Sequence, residues 1–117
     1  MRLAIVLVLL VVMLLLPATA SPARQRGNAA IGKKLFLQAG VFCGSCHTLK
    51  AAGSTGRDGP NLDKAKPTYA AVVAIVSKGR NPSKKWPTGM PGYAHNSELT
   101  KAAIRDLAAF IVGATHR

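Results

Sequence analysis

Two thiols and an imidazole stand within five residues, in Cys43-Gly44-Ser45-Cys46-His47. On one helical turn, positions i and i+3 project from the same side. Both thiols can therefore reach the two vinyl groups of a single porphyrin, while His47 is held beneath the ring with its imidazole toward the iron. This string is the attachment sequence of a c-type haem. Three other chemistries use such residues. A thioredoxin-like redox pair needs a βαβ framework, of which the chain has no pattern. A zinc site needs a second ligand pair at short spacing, and the other histidines are His95 and His116 alone. A bare structural disulfide leaves His47 without a role.

Haem iron held by one imidazole keeps an open axial position unless the protein fills it. Met90 lies in Gly89-Met90-Pro91-Gly92 and is the single methionine beyond residue 20. A thioether is a soft ligand that favours ferrous iron and raises the potential, as electron transfer requires. Methionine more often fills a core, but a Gly-Met-Pro-Gly loop has little periodic core to fill. His95, five residues along the same loop, is the rival ligand, and His116 at the chain end reads as solvated. No separate catalytic group is visible. Ser45 has no base beside it except His47, and the four carboxylates form no evident pair.

The elements that must position these residues are short helices. The chain has 117 residues, and residues 1–20 read as a cleavable signal peptide. Arg2 gives the positive start and Leu3 to Leu16 the apolar run, with Pro17 and then the small residues Ala18-Thr19-Ala20. Cleavage after Ala20 is the first choice and after Ala23 the second; an uncleaved membrane anchor is the alternative. Residues 21–27 form a basic, flexible lead-in, and 28–117 a single domain. Asn28 can cap a helix over Ala29 to Ala39, with Ile31, Leu35 and Phe36 on its apolar side and Gly40 at its end. Pro67 suits the first turn of a second helix bearing Tyr69, Val72, Val73 and Val76 and stopped by Gly79. Ser97 can cap a last helix with Glu98 in its first turn, Leu99, Ala103, Leu107 and Phe110 on one side, and Gly113 closing it. Ala51 to Pro60 reads as loop, and Gly79 to Tyr93, with three prolines and three glycines, cannot be one regular element. No strand pattern appears, so the class is all-α. No second apolar stretch approaches the length of a membrane span, which excludes a polytopic membrane protein. So small a chain also excludes a large enzyme with its own cofactor domain, and its modest core calls for a staple such as a tethered cofactor.

In this order the motifs resemble the small single-haem cytochromes c of bacteria. The resemblance spans nearly the whole mature chain. It rests on Gly32 and Phe36 in the first helix, then Cys43–His47, Gly59-Pro60-Asn61-Leu62, Met90-Pro91 and Leu107-Ala108-Ala109-Phe110-Ile111. It implies a cytochrome c fold, with three to five short helices wrapped around one covalently attached haem c and its iron. It further implies that Cys43 and Cys46 carry the thioethers, that His47 and Met90 are the metal ligands, and that the Pro60 carbonyl takes the second ring N–H of His47. Trp86 is the candidate to pack on the macrocycle edge or donate its indole N–H to a propionate, although the Asn81 to Thr88 stretch is longer than the family's. Gly32 would let the C-terminal helix approach, with Phe36 and Phe110 filling the crossing. Tyr69 fits either the pocket or the Val72/Val76 core side, and the core is favoured.

Charge bears on partners. Sixteen Lys+Arg oppose four Asp+Glu, a formal net charge of +12. Lys78, Arg80, Lys84 and Lys85 flank the approach to Met90, and Lys50 follows the attachment string. Around an exposed haem edge they would steer the protein to acidic redox partners in brief encounters. Membrane respiratory complexes and exported dehydrogenases are the implied partners, and anionic headgroups are an alternative attraction. Export and the absence of an aromatic-basic motif argue against nucleic acid. The reading is a monomeric, periplasmic single-electron carrier with His/Met ligation, not an enzyme. The alternatives are an electron-transfer subunit of an exported dehydrogenase or oxidase complex, and a peroxidase-like enzyme should the sixth position open. The intact mass of the exported protein checks the foundation. It should equal the chain from Ser21 (or Arg24) plus one haem; a colourless polypeptide with thiols or a cystine would overturn the reading.

Overall fold

The computed structural model describes Met1 and residues 26–38, 40–94 and 99–117. The signal-peptide reading, most of the lead-in, His95, Ser97 and Glu98 therefore lie outside the described residues. Five α-helices occur among the described residues: α1 Ala29–Leu37, α2 Cys43–Cys46, α3 Leu62–Ala65, α4 Tyr69–Lys78 and α5 Lys101–Thr115. Between α2 and α3 lie two short strands, β1 Thr48–Leu49 and β2 Ser54–Thr55, joined by a 3-10 turn at Lys50–Ala52. No described helix is long and apolar enough to cross a membrane.

Each long helix starts on a side-chain cap. Asn28 accepts from the N–H groups of Ala30 and Ile31 at 2.9 and 3.2 Å, satisfying donors that the first turn leaves without partners. Thr68 does the same for α4 through Ala71, and Thr100 for α5 through Ala103. Two sequence expectations are corrected here. Pro67 precedes the cap instead of entering the first turn of α4. The last helix is capped by Thr100, not Ser97, and holds no acidic residue in its first turn. Thr100 is the better place because Leu99 just before it and Ile104 both join the core, the positions of a hydrophobic staple.

Helix ends differ in the same way. The first helix stops at Leu37, with Gln38 extended, ahead of the expected Ala39 and Gly40. The last runs past Gly113 to Thr115, whose buried hydroxyl donates to the Ile111 carbonyl at 2.9 Å. Arg117 Nε donates to the Gly113 carbonyl at 3.0 Å. The strands, each two residues long, are too short for alternation to reveal, and the segment from Ala51 is not all loop. Their pairing sets Thr48 opposite Thr55 and Leu49 opposite Ser54.

The core is the crossing of α1 and α5. Gly32 and Phe36 are buried on α1, whereas Ile31 is 47% exposed, so the buried stripe lies one position on from the expected one. A Cβ at Gly32 would run into the Asp106 carbonyl and stand 2.8 Å from the Phe110 Cβ. Phe36 and Phe110 meet edge to face, their ring centroids 5.8 Å apart, an arrangement that contributes about 0.5–1.5 kcal/mol beyond burial. Asp106 also accepts the Asn28 N–H at 2.6 Å, fastening the start of α1 to the middle of α5. Gly32→Ala should destabilise the holoprotein by about 1–3 kcal/mol, the scale of overpacking. Gly113→Ala, where added atoms meet open space, should stabilise it by up to about 1 kcal/mol through helix propensity. Thermal unfolding of the two variants side by side measures both signs.

Candidate haem site

A cleft of about 280 Å³ opens beside the α1–α5 crossing. Its floor is apolar, with Phe36, Val72, Val76, Leu107 and Ile111 serving both core and cleft. Around it stand all six residues singled out from the sequence: Cys43, Cys46, His47, Pro60, Trp86 and Met90.

The attachment turn is held at both ends. Phe42 caps α2 in the left-handed region, at φ 51° and ψ 31°, a conformation that costs a non-glycine residue roughly 1–2 kcal/mol. Its carbonyl accepts from the Ser45 N–H at 3.0 Å and from the Ser45 hydroxyl at 2.7 Å. At the far end the Cys46 carbonyl accepts from Gly59 N–H at 2.8 Å, and the His47 carbonyl from the Ser54 hydroxyl at 2.8 Å. The short hairpin thus clamps the histidine backbone.

The His47 ring is oriented by its far nitrogen, with Nδ1 and the Pro60 carbonyl oxygen 2.8 Å apart. A carbonyl can only accept, so Nδ1 carries the proton and donates, leaving the Nε2 lone pair for a metal. Gly59 makes room for the ring, since a Cβ there would stand 2.6 Å from His47 Cε1. Both cysteines are half-buried free thiols. Burial pushes the Cys43 thiol up to about 11, against a lowering backbone hydrogen bond and with a further rise from Cys46. A thiolate is disfavoured in that wall, whereas a thioether carries no charge to desolvate.

Met90 comes from a distant segment. Its backbone exchanges two 2.8 Å hydrogen bonds with Arg80, N–H to carbonyl in each direction. This bridge closes residues 80–90 into a loop whose tip turns from Ser83 to Trp86. Lys84 and Lys85 occupy the turn, and the Lys85 ammonium sits 5.5 Å from the centroid of the Trp86 ring that lines the cleft. Tyr69 does not line the cleft; it packs against the core, with its hydroxyl buried and without a partner among the described residues. His116 is exposed, with Nε2 3.1 Å from the Pro67 carbonyl. Arg80, Gly59 as a contact of the imidazole, and Tyr93 were not singled out as site residues by sequence reasoning. An aromatic three residues beyond Met90, in a loop otherwise rich in glycine and proline, was the available signal for Tyr93.

These walls fit a porphyrin. An apolar floor suits the macrocycle, two thiols one turn apart suit its vinyl groups, and Arg80, Asn81, Ser83 and Trp86 supply polar hydrogens for its carboxylates. A helical fold wrapped on such a cleft defines a small haem-carrying cytochrome c. Residues 27–111 match the family model described as Cytochrome C oxidase, cbb3-type, subunit III, and the chain belongs to that family of c-type cytochromes. Its fold is similar to the crystal structure of the c-type cytochrome SorU from Sinorhizobium meliloti. The two share 33% sequence identity with a TM-score of 0.63, over 74% of this chain and 90% of that one. No curated protein matches the chain. It is therefore an electron-transfer protein that binds covalently attached haem c with its iron, and c-type cytochromes are generally extracytoplasmic.

Gly59→Ala should tilt the His47 ring, lowering holoprotein yield and costing about 1–3 kcal/mol of stability by overpacking. Visible absorption at matched protein concentration, with thermal unfolding, checks both effects.

Proposed function

We propose that the chain is a single-electron carrier of the periplasm or its equivalent, with haem c tethered through Cys43 and Cys46 and its iron held between His47 and Met90. The observation that carries this reading is the meeting of four groups from three chain segments in one cleft: the paired thiols, an imidazole locked by Pro60, and the only sulfide beyond the leader region. When bound, the haem supplies the one-electron couple. The protein's residues set its environment. His47 donates Nδ1–H to Pro60, which would fix the ring with Nε2 toward the iron. Met90 contributes a soft sulfur that favours the reduced state. The apolar floor would exclude water, and the hydrogen-bond donors near Trp86 would be available to the porphyrin's carboxylates.

With His47 and Met90 both holding the iron, no substrate would need to reach the metal, which favours a carrier over an enzyme. The partners we propose are acidic redox proteins such as membrane respiratory complexes or exported dehydrogenases, with anionic headgroups as a weaker attraction. Two of the few carboxylates are engaged by backbone: Asp63 accepts the Lys50 N–H at 2.8 Å and Asp106 the Asn28 N–H. Cations at Lys78, Arg80, Lys84 and Lys85 are exposed close to the cleft, where they would speed encounter at low salt.

Replacing Met90 by Ala should abolish the weak far-red sulfur-to-iron band of the ferric protein. It should also lower the potential by a sizeable part of the roughly 0.8 V over which axial ligands set haem couples. Survival of the band unchanged would reject Met90 as the ligand.

A further inference from the structure

One side chain of the Met90 loop reaches the approach to the attachment turn. Tyr93, 9% exposed, lines the cleft and sends its hydroxyl 2.8 Å to the carbonyl of Val41, a residue 52 positions away. Val41 is itself buried and lies just before the left-handed Phe42 and two residues before Cys43. Its carbonyl therefore sits where the chain turns into the haem-attachment helix.

The backbone around Tyr93 is anchored elsewhere. Its N–H donates to the Val76 carbonyl at 2.9 Å, and Ala94 N–H to the Ser77 carbonyl at 3.3 Å. These are among the last carbonyls of α4, which lack partners within the helix. At Gly92 a Cβ would stand 2.5 Å from the Lys78 carbonyl carbon, so this stretch lies flat on the end of α4. Met90 is thus held to Arg80 on one side and to α4 on the other. The Tyr93 hydroxyl runs from this assembly to the wall that carries Cys43.

From this geometry we infer that Tyr93 is a positioning residue, a strut that keeps the Met90 sulfur at bonding distance from an iron fixed by the Cys43–His47 wall. The inference rests on Met90 being the sixth ligand. Without the hydroxyl the Val41 carbonyl is left buried and unpaired, and the loop loses a bond made only in its closed position. The population with Met90 detached then rises, and an external ligand that needs that population binds more tightly in proportion.

The test is a titration of ferric holoprotein with imidazole, followed by loss of the far-red sulfur-to-iron band. Tyr93→Phe keeps the ring and its packing, and should bind imidazole about ten-fold more tightly than the parent protein. Ile104→Val loosens the α1–α5 core away from the cleft and should leave imidazole affinity unchanged. An unchanged affinity in Tyr93→Phe, or an equal shift in both variants, would reduce Tyr93 to a core residue. A parent protein without the far-red band would instead remove the Met90 reading, and this inference with it. In the unmodified ferrous protein, the Tyr93 hydroxyl proton should be visible by NMR and exchange slowly with water. Exchange as fast as that of an exposed hydroxyl would also sink the strut.

Discussion

The close crossing of α1 and α5 is the constraint from which the rest of the molecule hangs. Two helices from opposite ends of the chain approach until the backbone of Gly32 rests on the Asp106 carbonyl. Phe36 and Phe110 fill the angle that this approach leaves. Phe36, Leu107 and Ile111 then present their far sides to the cleft. A domain this small cannot surround a large flat cofactor with an independent core. It uses one layer of side chains for both tasks, so the cofactor completes the core.

Upon that crossing, the walls of the cleft are fastened largely by backbone polar groups. The carbonyls of Cys46 and His47 accept from Gly59 and Ser54, the Pro60 carbonyl takes the imidazole proton, and Met90 pairs with Arg80 through both of its backbone groups. Such bonds depend on local chain path more than on side-chain identity. The placement of His47 and of the Met90 loop is therefore set by where glycines allow chains to meet: Gly59 beneath the imidazole and Gly92 against the end of α4. Carboxylates are scarce, and Asp63 and Asp106 secure loop and helix starts through backbone N–H groups. Lys78, Arg80, Lys84 and Lys85 remain exposed at the surface.

How far the sequence could be read follows from the range of each interaction. Asn28 and its helix were legible because a cap acts within three residues, and Gly79 as a helix stop for the same reason. The last helix was legible as an element but not in its start. Ser97 and Thr100 are both competent caps, and the choice between them turned on Leu99 being drawn into the core. Ile31 looked like part of the buried stripe because periodicity cannot say which neighbouring face a partner helix will cover. The two-residue strands escaped notice since alternation needs more positions than they possess. Tyr93 is not legible from local pattern, because its meaning is a hydrogen bond to a carbonyl 52 residues away.

By itself, the order of residues determined the cofactor chemistry, because two thiols and an imidazole within five positions act over a single turn. It determined the helical class as well, through caps and apolar spacing of equally short reach. Only the tertiary structure decided that Met90, Trp86 and Pro60 would share one cleft with that turn. It also decided that Pro60 would fix the proton on His47 Nδ1 and that Tyr93 would join the two walls. Those outcomes require segments far apart in the chain to meet within about 3 Å, the reach of a hydrogen bond. Local pattern carries no information at that distance; the packing of α1 on α5, and of the Met90 loop on α4, supplies it.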